Sequence, residues 1–164
     1  MFDALGIGDQ RRTKNASVFD LAGDIIHLFD NGKSCASPRK ISRQFNRSEG
    51  KAGFGTRETP GAVVRTEWRT GDIWLRRAIT LPDPLPSRLV LRVHHDEDVE
   101  IYVNGVRAAS APGYIADYEE LPISAPGRAA LRPGQNILAI HCHQTRGGQY
   151  VDAGLVTIEE PAKP

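Results

Sequence analysis

The chain has 164 residues, 40% of them hydrophobic and 25% charged, and a formal net charge of +1. That length supports one domain with a real core, and the near-neutral balance excludes a global electrostatic pull toward nucleic acid or an anionic membrane. No run approaches a membrane span, and the opening MFDALGIGDQRRTK places its basic residues after its apolar ones, the reverse of a secretory leader. The chain is therefore expected to stay inside the cell or to be a piece of a longer exported protein, extracellular or periplasmic in that case.

Along the chain, residues 17–30 (SVFDLAGDIIHLFD) carry an apolar set that suits one or two short strands or a helical turn, and period alone does not arbitrate. Residues 31–53 are polar, basic and Gly/Ser-rich and read as a long loop. From Phe54 the pattern sharpens. Residues 62–68 (AVVRTEW) and 72–81 (DIWLRRAITL) read as strands, the second setting Ile73, Leu75, Arg77 and Ile79 against Trp74, Arg76, Ala78 and Thr80. The PDPLP run at 82–86 ends it, since proline cannot donate to a ladder.

Residues 87–95 (SRLVLRVHH) alternate next, with Leu89, Leu91 and Val93 toward a core and Arg88, Arg92 and His94 toward water. In 98–108, Val99, Ile101 and Val103 alternate with Glu100 and Tyr102, and Asn104–Gly105 supplies the positive-φ pair of a tight hairpin. Residues 109–130 read as a long loop, followed by the strands 131–144 and 150–160. The 16 Gly and 11 Pro fall between apolar runs, which is the punctuation of a turn-rich β protein. Cys35 and Cys142 have no metal-type spacing, and Cys142 lies within an apolar strand pattern as a buried free thiol. No internal repeat is visible. The predicted fold is an all-β antiparallel sandwich occupying 51–160, with an N-terminal segment (1–50) packing on it and a tail at 161–164.

Three stretches carry a likeness to a known group: W-x-x-x-D-I-W-L-R-R (Trp68 to Arg77), the strand ending HHDED at 94–98, and E-I-Y-V-N-G at 100–105. With L-R-P-G-Q-N-I-L-A-I-H (131–141), they resemble galactose-binding-like domains attached to glycoside hydrolases, in particular the family 2 sugar-binding domain, while G-G-Q-Y-V-D-A-G-L (147–155) resembles the closing strand of related accessory domains in large bacterial multidomain proteins. The likeness spans residues 54 to 158. It implies a jelly roll of about eight strands that flanks a catalytic domain, sometimes binds sugar at its loops, and often carries calcium. Upstream, where such domains have an F-D-D-S-x-W type segment, this chain reads Phe45-Asn46-Arg47-Ser48-Glu49, without its carboxylates or tryptophan.

The run His94, His95, Asp96, Glu97, Asp98, with His141 and His143 on one strand face, has the ligand types of a metal-dependent hydrolase, although the acidic residues sit at a strand turn. A structural calcium ion on Asp96 and Asp98 suits hard carboxylate oxygens better. No other cofactor is expected. Glycoside hydrolysis needs two carboxylates at a set separation, and the acidic residues offer no privileged pair. Neither a nucleophile elbow nor a phosphate loop is present.

Sugar binding has the fuller kit, because pyranose C–H faces stack on aromatics while hydroxyls meet planar polar groups. Tyr114, Asp117 and Tyr118 lie in the 109–130 loop, and Gln144, Arg146, Gln149, Tyr150 and Asp152 surround Gly147–Gly148. Trp68 and Trp74 are expected in the core. The reading is a non-catalytic carbohydrate-binding or accessory module whose partner is carbohydrate or a neighbouring catalytic domain. The alternative is a structural or protein-interaction sandwich without sugar affinity.

Overall fold

A computed structural model describes residues 18–19, 26–29 and 47–158. Cys35 and the tail at 161–164 lie outside the described residues. Twelve strands and one short helix follow in order: β1 (Val18–Phe19), β2 (Ile26–Phe29), β3 (Arg47–Gly50), β4 (Phe54–Gly55), β5 (Thr66–Glu67), β6 (Asp72–Leu81), β7 (Leu89–Asp96), β8 (Asp98–Val103), β9 (Val106–Ala111), β10 (Glu119–Pro122), α1 (Ala125–Ala130), β11 (Gly134–His143) and β12 (Tyr150–Thr157). They form two six-stranded sheets. The first runs β10–β7–β12–β4–β5 with β1 beside β12, and the second runs β3–β2–β6–β11–β8–β9. Only the short pairing of β4 with β5 is parallel among these ladders.

From β6 onward the chain passes between the sheets at each connection except the β8–β9 hairpin, which stays within the second sheet, so that most neighbours in sequence face each other across the core. Leu89, Leu91, Val93, Val151, Ala153 and Leu155 come from the first sheet, and Ile73, Leu75, Ile79, Val99, Ile101, Val103, Leu138 and Ile140 from the second. Leu91, Ile101, Val103 and Leu155 are 0% exposed, and each such side chain contributes roughly 1.5–3 kcal/mol on leaving water. This is an all-β sandwich, as the alternation predicts. Cys142 is also buried in this core as a free thiol, and burial raises its pKa.

The turn signals resolve into bonds. Asn104 (φ 50°) and Gly105 (φ 84°) turn the β8–β9 hairpin, where both central residues of a tight type I′ turn need positive φ. Asn104 Nδ2 donates to Ala130 O (2.7 Å) and to Asn136 Oδ1 (2.8 Å), while its Oδ1 accepts from Ile137 N–H (2.8 Å). Asn136, 0% exposed, donates in turn to Arg132 O (2.7 Å) and Gly134 O (2.9 Å). The N of the L-R-P-G-Q-N stretch is thus a buried clamp between two turns.

Four expectations need correction. The 31–53 stretch holds β3, and the first fifty residues supply β1 to one sheet and β2 and β3 to the other. The 62–68 stretch yields only β5, because Pro60–Gly61 turns the chain and Arg65 and Thr66 N–H both donate to Gly53 O (2.9 and 3.1 Å). Residues 109–130 are not one loop but include β10 and α1. Ser124 caps α1, its Oγ accepting from Gly127 N–H at 3.2 Å and its own N–H donating to Ala108 O at 2.7 Å. Finally, Trp68 is core (3% exposed), whereas Trp74 lies on the outer face of the second sheet, stacked on its cross-strand partner His141 at 4.0 Å.

Candidate functional site

Four connections meet at one end of the first sheet and enclose a cleft of about 430 Å³. Its walls are Thr59 and Pro60 from the β4–β5 connection, Asp96 and Glu97 between β7 and β8, Tyr114, Ile115 and Ala116 between β9 and β10, and Arg146, Gly147 and Gly148 between β11 and β12. Specific bonds hold these segments together. Thr59 Oγ1 donates to Gln149 O (3.0 Å) and accepts from Gln149 N–H (2.8 Å). Ile115 N–H donates to His95 O at 3.0 Å, and Tyr114 pairs with Asp96 as an isolated bridge. A Cβ at Gly148 would lie 2.7 Å from Thr59 Oγ1 and 3.0 Å from Asp96 Oδ2, so the segments approach this closely only around glycine.

Charge and exposure give the cleft its chemistry. Tyr114 is 72% exposed, and Arg146, also exposed, lines the same cleft. Glu97 accepts from Thr145 Oγ1. Asp96 is half-buried, and burial followed by the neighbouring Glu97 charge raises its pKa, against a smaller pull from His95. Its carboxylate accepts no side-chain hydrogen bond among the described residues.

The eight residues named from sequence for ligand binding divide sharply. Tyr114 and Arg146 line the cleft. Asp117 and Gln144 shape its loops: Asp117 Oδ1 accepts from Tyr118 N–H (2.7 Å), and Gln144 Nε2 donates to Gly148 O (2.5 Å). Tyr118, Gln149, Tyr150 and Asp152 turn inward, a correction to their rim placement. Tyr150 is 0% exposed, and Gln149 and Asp152 are each 8% exposed. Tyr118 OH donates to Asp152 Oδ2 at 2.5 Å while Arg92 sits 5.0 Å from its ring centroid. Burial, then Asp152, pushes the Tyr118 hydroxyl far up in pKa.

His94 is corrected for the same reason. Expected to face water, it is 1% exposed and packs between Tyr118 (5.4 Å) and Tyr150 (4.7 Å). The β4–β5 and β9–β10 connections fold over the outer face of the first sheet and roof these side chains. Both faces of the β7–β12 ladder are therefore dry here, which period-two alternation cannot announce. Thr59, Pro60, Ile115 and Ala116 were not singled out from sequence, and no local signal marks them. They reach the cleft only through the roof.

The residues named for metal ligation fall on both sheets. His94 and His95 sit on the first sheet, while His141 Nε2 and His143 Nδ1 on the second both meet Asp72 Oδ1, at 2.8 and 2.9 Å. Asp96 opens on the cleft, but Asp98 Oδ1 accepts from Gly113 N–H at 2.6 Å. Among the described residues, no group of three or more His, Cys, Asp or Glu side chains is placed to hold a metal ion.

Fold and cleft together define a class: a β-sandwich domain whose rim cleft sets a tyrosine ring and charged side chains in largely apolar walls. No family model and no curated protein matches the sequence. Solved structures with a similar architecture include β-glucuronidases. The Ruminococcus gnavus enzyme in complex with N1-substituted uronic isofagomine aligns at TM-score 0.58 and 11% identity, over 89% of this chain and 30% of that one. Bacteroides uniformis β-glucuronidase 2, as a calcium-binding mutant, aligns at 0.57 and 16%, over 87% and 18%. Faecalibacterium prausnitzii β-glucuronidase aligns at 0.51 and 21%, over 78% and 21%. At such identities the likeness establishes the fold, and the chain spans less than a third of each of these enzymes.

Proposed function

We propose that this chain is a non-catalytic accessory sandwich of a larger glycan-processing protein, galactose-binding-like in type, and that its rim cleft is where it meets carbohydrate. The observation that carries the reading is the asymmetry of coverage: the likeness takes in 89% of this chain but only 30% of a glycosidase chain. The cleft adds chemical support. An exposed tyrosine ring suits the C–H face of a pyranose, and a guanidinium and carboxylates suit its hydroxyls.

Affinity electrophoresis through gels cast with a panel of soluble polysaccharides tests this directly. Retarded migration with at least one polysaccharide, lost in Tyr114→Ala, is the expected result. Unretarded migration throughout the panel refutes carbohydrate binding and favours the second reading, a module that packs against a catalytic domain. The inward placement of Tyr118, Gln149, Tyr150 and Asp152 lends that second reading its support, since it leaves a smaller polar rim than the sequence promises.

A further inference from the structure

We infer that the cleft selects a neutral pyranose, presenting vicinal hydroxyls to the Asp96 carboxylate with its apolar face on Tyr114, and discriminates against uronic acids. This rests on the reading of the cleft as a carbohydrate site and goes beyond it by fixing the charge class of the sugar.

The argument begins with what the carboxylate lacks. Asp96 lines the cleft and receives no side-chain donor from the described residues. An ionised carboxylate is acceptor-only, and Asp96, half-buried at the cleft, takes its donors from water or from a ligand that replaces that water. Two adjacent sugar hydroxyls are a pair of donors at the right separation for its two oxygens. Glu97 is already engaged at one oxygen, its Oε2 accepting from Thr145 Oγ1.

The second element is charge. The lining carries two carboxylates, Asp96 and Glu97, against one guanidinium, Arg146. Asp96 already feels burial and the Glu97 charge, which raise its pKa. A uronate would bring a third negative charge into this space and add acceptors where donors are wanted. Like charges brought together in a partly desolvated site oppose binding. Arg146 offsets one of them, and its position on the exposed wall leaves it well hydrated.

The third element is the platform. Tyr114 is 72% exposed, yet its backbone is held by the bridge to Asp96 and by the adjacent Ile115 N–H donating to His95 O. Ring and carboxylate therefore come from directly opposed residues on a common support, close enough in the ladder for one sugar to meet both.

The test is isothermal titration of the whole chain at pH 7 with cellohexaose, mannohexaose, galactohexaose and hexagalacturonate. At least one neutral hexaose is expected to bind about tenfold or more tightly than hexagalacturonate. Asp96→Asn, which turns one acceptor into a donor and removes the charge, is expected to weaken the neutral ligand by about tenfold and to narrow its margin over the uronate. Tyr114→Ala, on an exposed side chain that leaves the core untouched, is expected to weaken both ligands and preserve their ratio. Circular dichroism checks the fold of each variant, and if Asp96→Asn does not fold, the ligand ratio and Tyr114→Ala still decide. Tighter binding of hexagalacturonate by the native chain overturns the charge assignment while leaving a carbohydrate site standing. Absence of binding to all four, together with unretarded migration in every polysaccharide gel, overturns both.

Discussion

Replacing His94 with phenylalanine should flatten the acid limb of the stability profile. The imidazole is 1% exposed, and neither ring nitrogen meets a hydrogen-bond partner, the Ile115 backbone lying near it but outside bonding geometry. Burial pushes its pKa below the ordinary value; the Asp117 charge opposes that, and His95 adds to it. An unfolded histidine titrates near 6.5. As pH falls through that value the unfolded chain takes up a proton that the folded chain resists, so stability is full above about 6.5 and declines below it, levelling off at the folded pKa. If His94 stays uncharged throughout, the loss between pH 7.5 and 5.5 is at most about 1.4 kcal/mol, from integrating the linkage relation. For a domain of this size that is a fall in Tm of roughly 5 °C.

Urea unfolding of both proteins at half-unit pH intervals measures this. The native chain should lose up to that amount relative to His94→Phe, whatever constant offset the larger ring introduces by repacking. His27, His95, His141 and His143 remain in both proteins and cancel in the difference. Parallel profiles for the two proteins between pH 7.5 and 5.5 would show that His94 charges freely in the folded state, and that the roof over it opens readily to water.

Three further outcomes follow from bonds already described. Asn136→Ala removes a buried amide that donates to two turn carbonyls and accepts from Asn104; a loss of about 2–4 kcal/mol in denaturant titration is expected, and a loss under 1 kcal/mol would mean water replaces the clamp. Tyr118→Phe withdraws a donor from the Asp152 carboxylate and should cost roughly 1.5–3 kcal/mol at pH 7, with an unchanged unfolding midpoint as the contrary result. Gly148→Ala sets a methyl against Thr59 Oγ1 and Asp96 Oδ2; it should cost about 1–3 kcal/mol and abolish retardation in any polysaccharide gel that retards the native chain, and native behaviour in both assays would contradict the tight packing of that rim.

The strands most legible in the sequence are those with one dry and one wet face. β6, β8 and β11 run close to their expected bounds because Ile73, Leu75 and Ile79, Val99 and Ile101, and Leu138 and Ile140 are buried in alternation with less buried neighbours. The hairpin at Asn104–Gly105 is equally local, set by two residues that tolerate positive φ. Elements held by distant bonds left little trace: β5 is fixed by the Gly53 carbonyl, and α1 by Ser124 reaching Ala108. Of the site, the sequence marks Tyr114, Arg146 and the Gly-Gly pair as loop residues, but it cannot separate them from Tyr118, Tyr150 and Asp152.

That division marks what each level contributes. Residue order alone determines the all-β class, the inward sets of the long strands and the tight hairpin, since alternation and turn chemistry act over two to five neighbours. Only the tertiary structure decides that two connections roof the outer face of the first sheet, burying His94, Tyr150 and Asp152 and leaving a cleft at the edge of that cover. The reason is physical: burial of a second sheet face depends on which distant segment lies on it, and a polar side chain in a strand carries the same local pattern whether water or a tyrosine ring covers it.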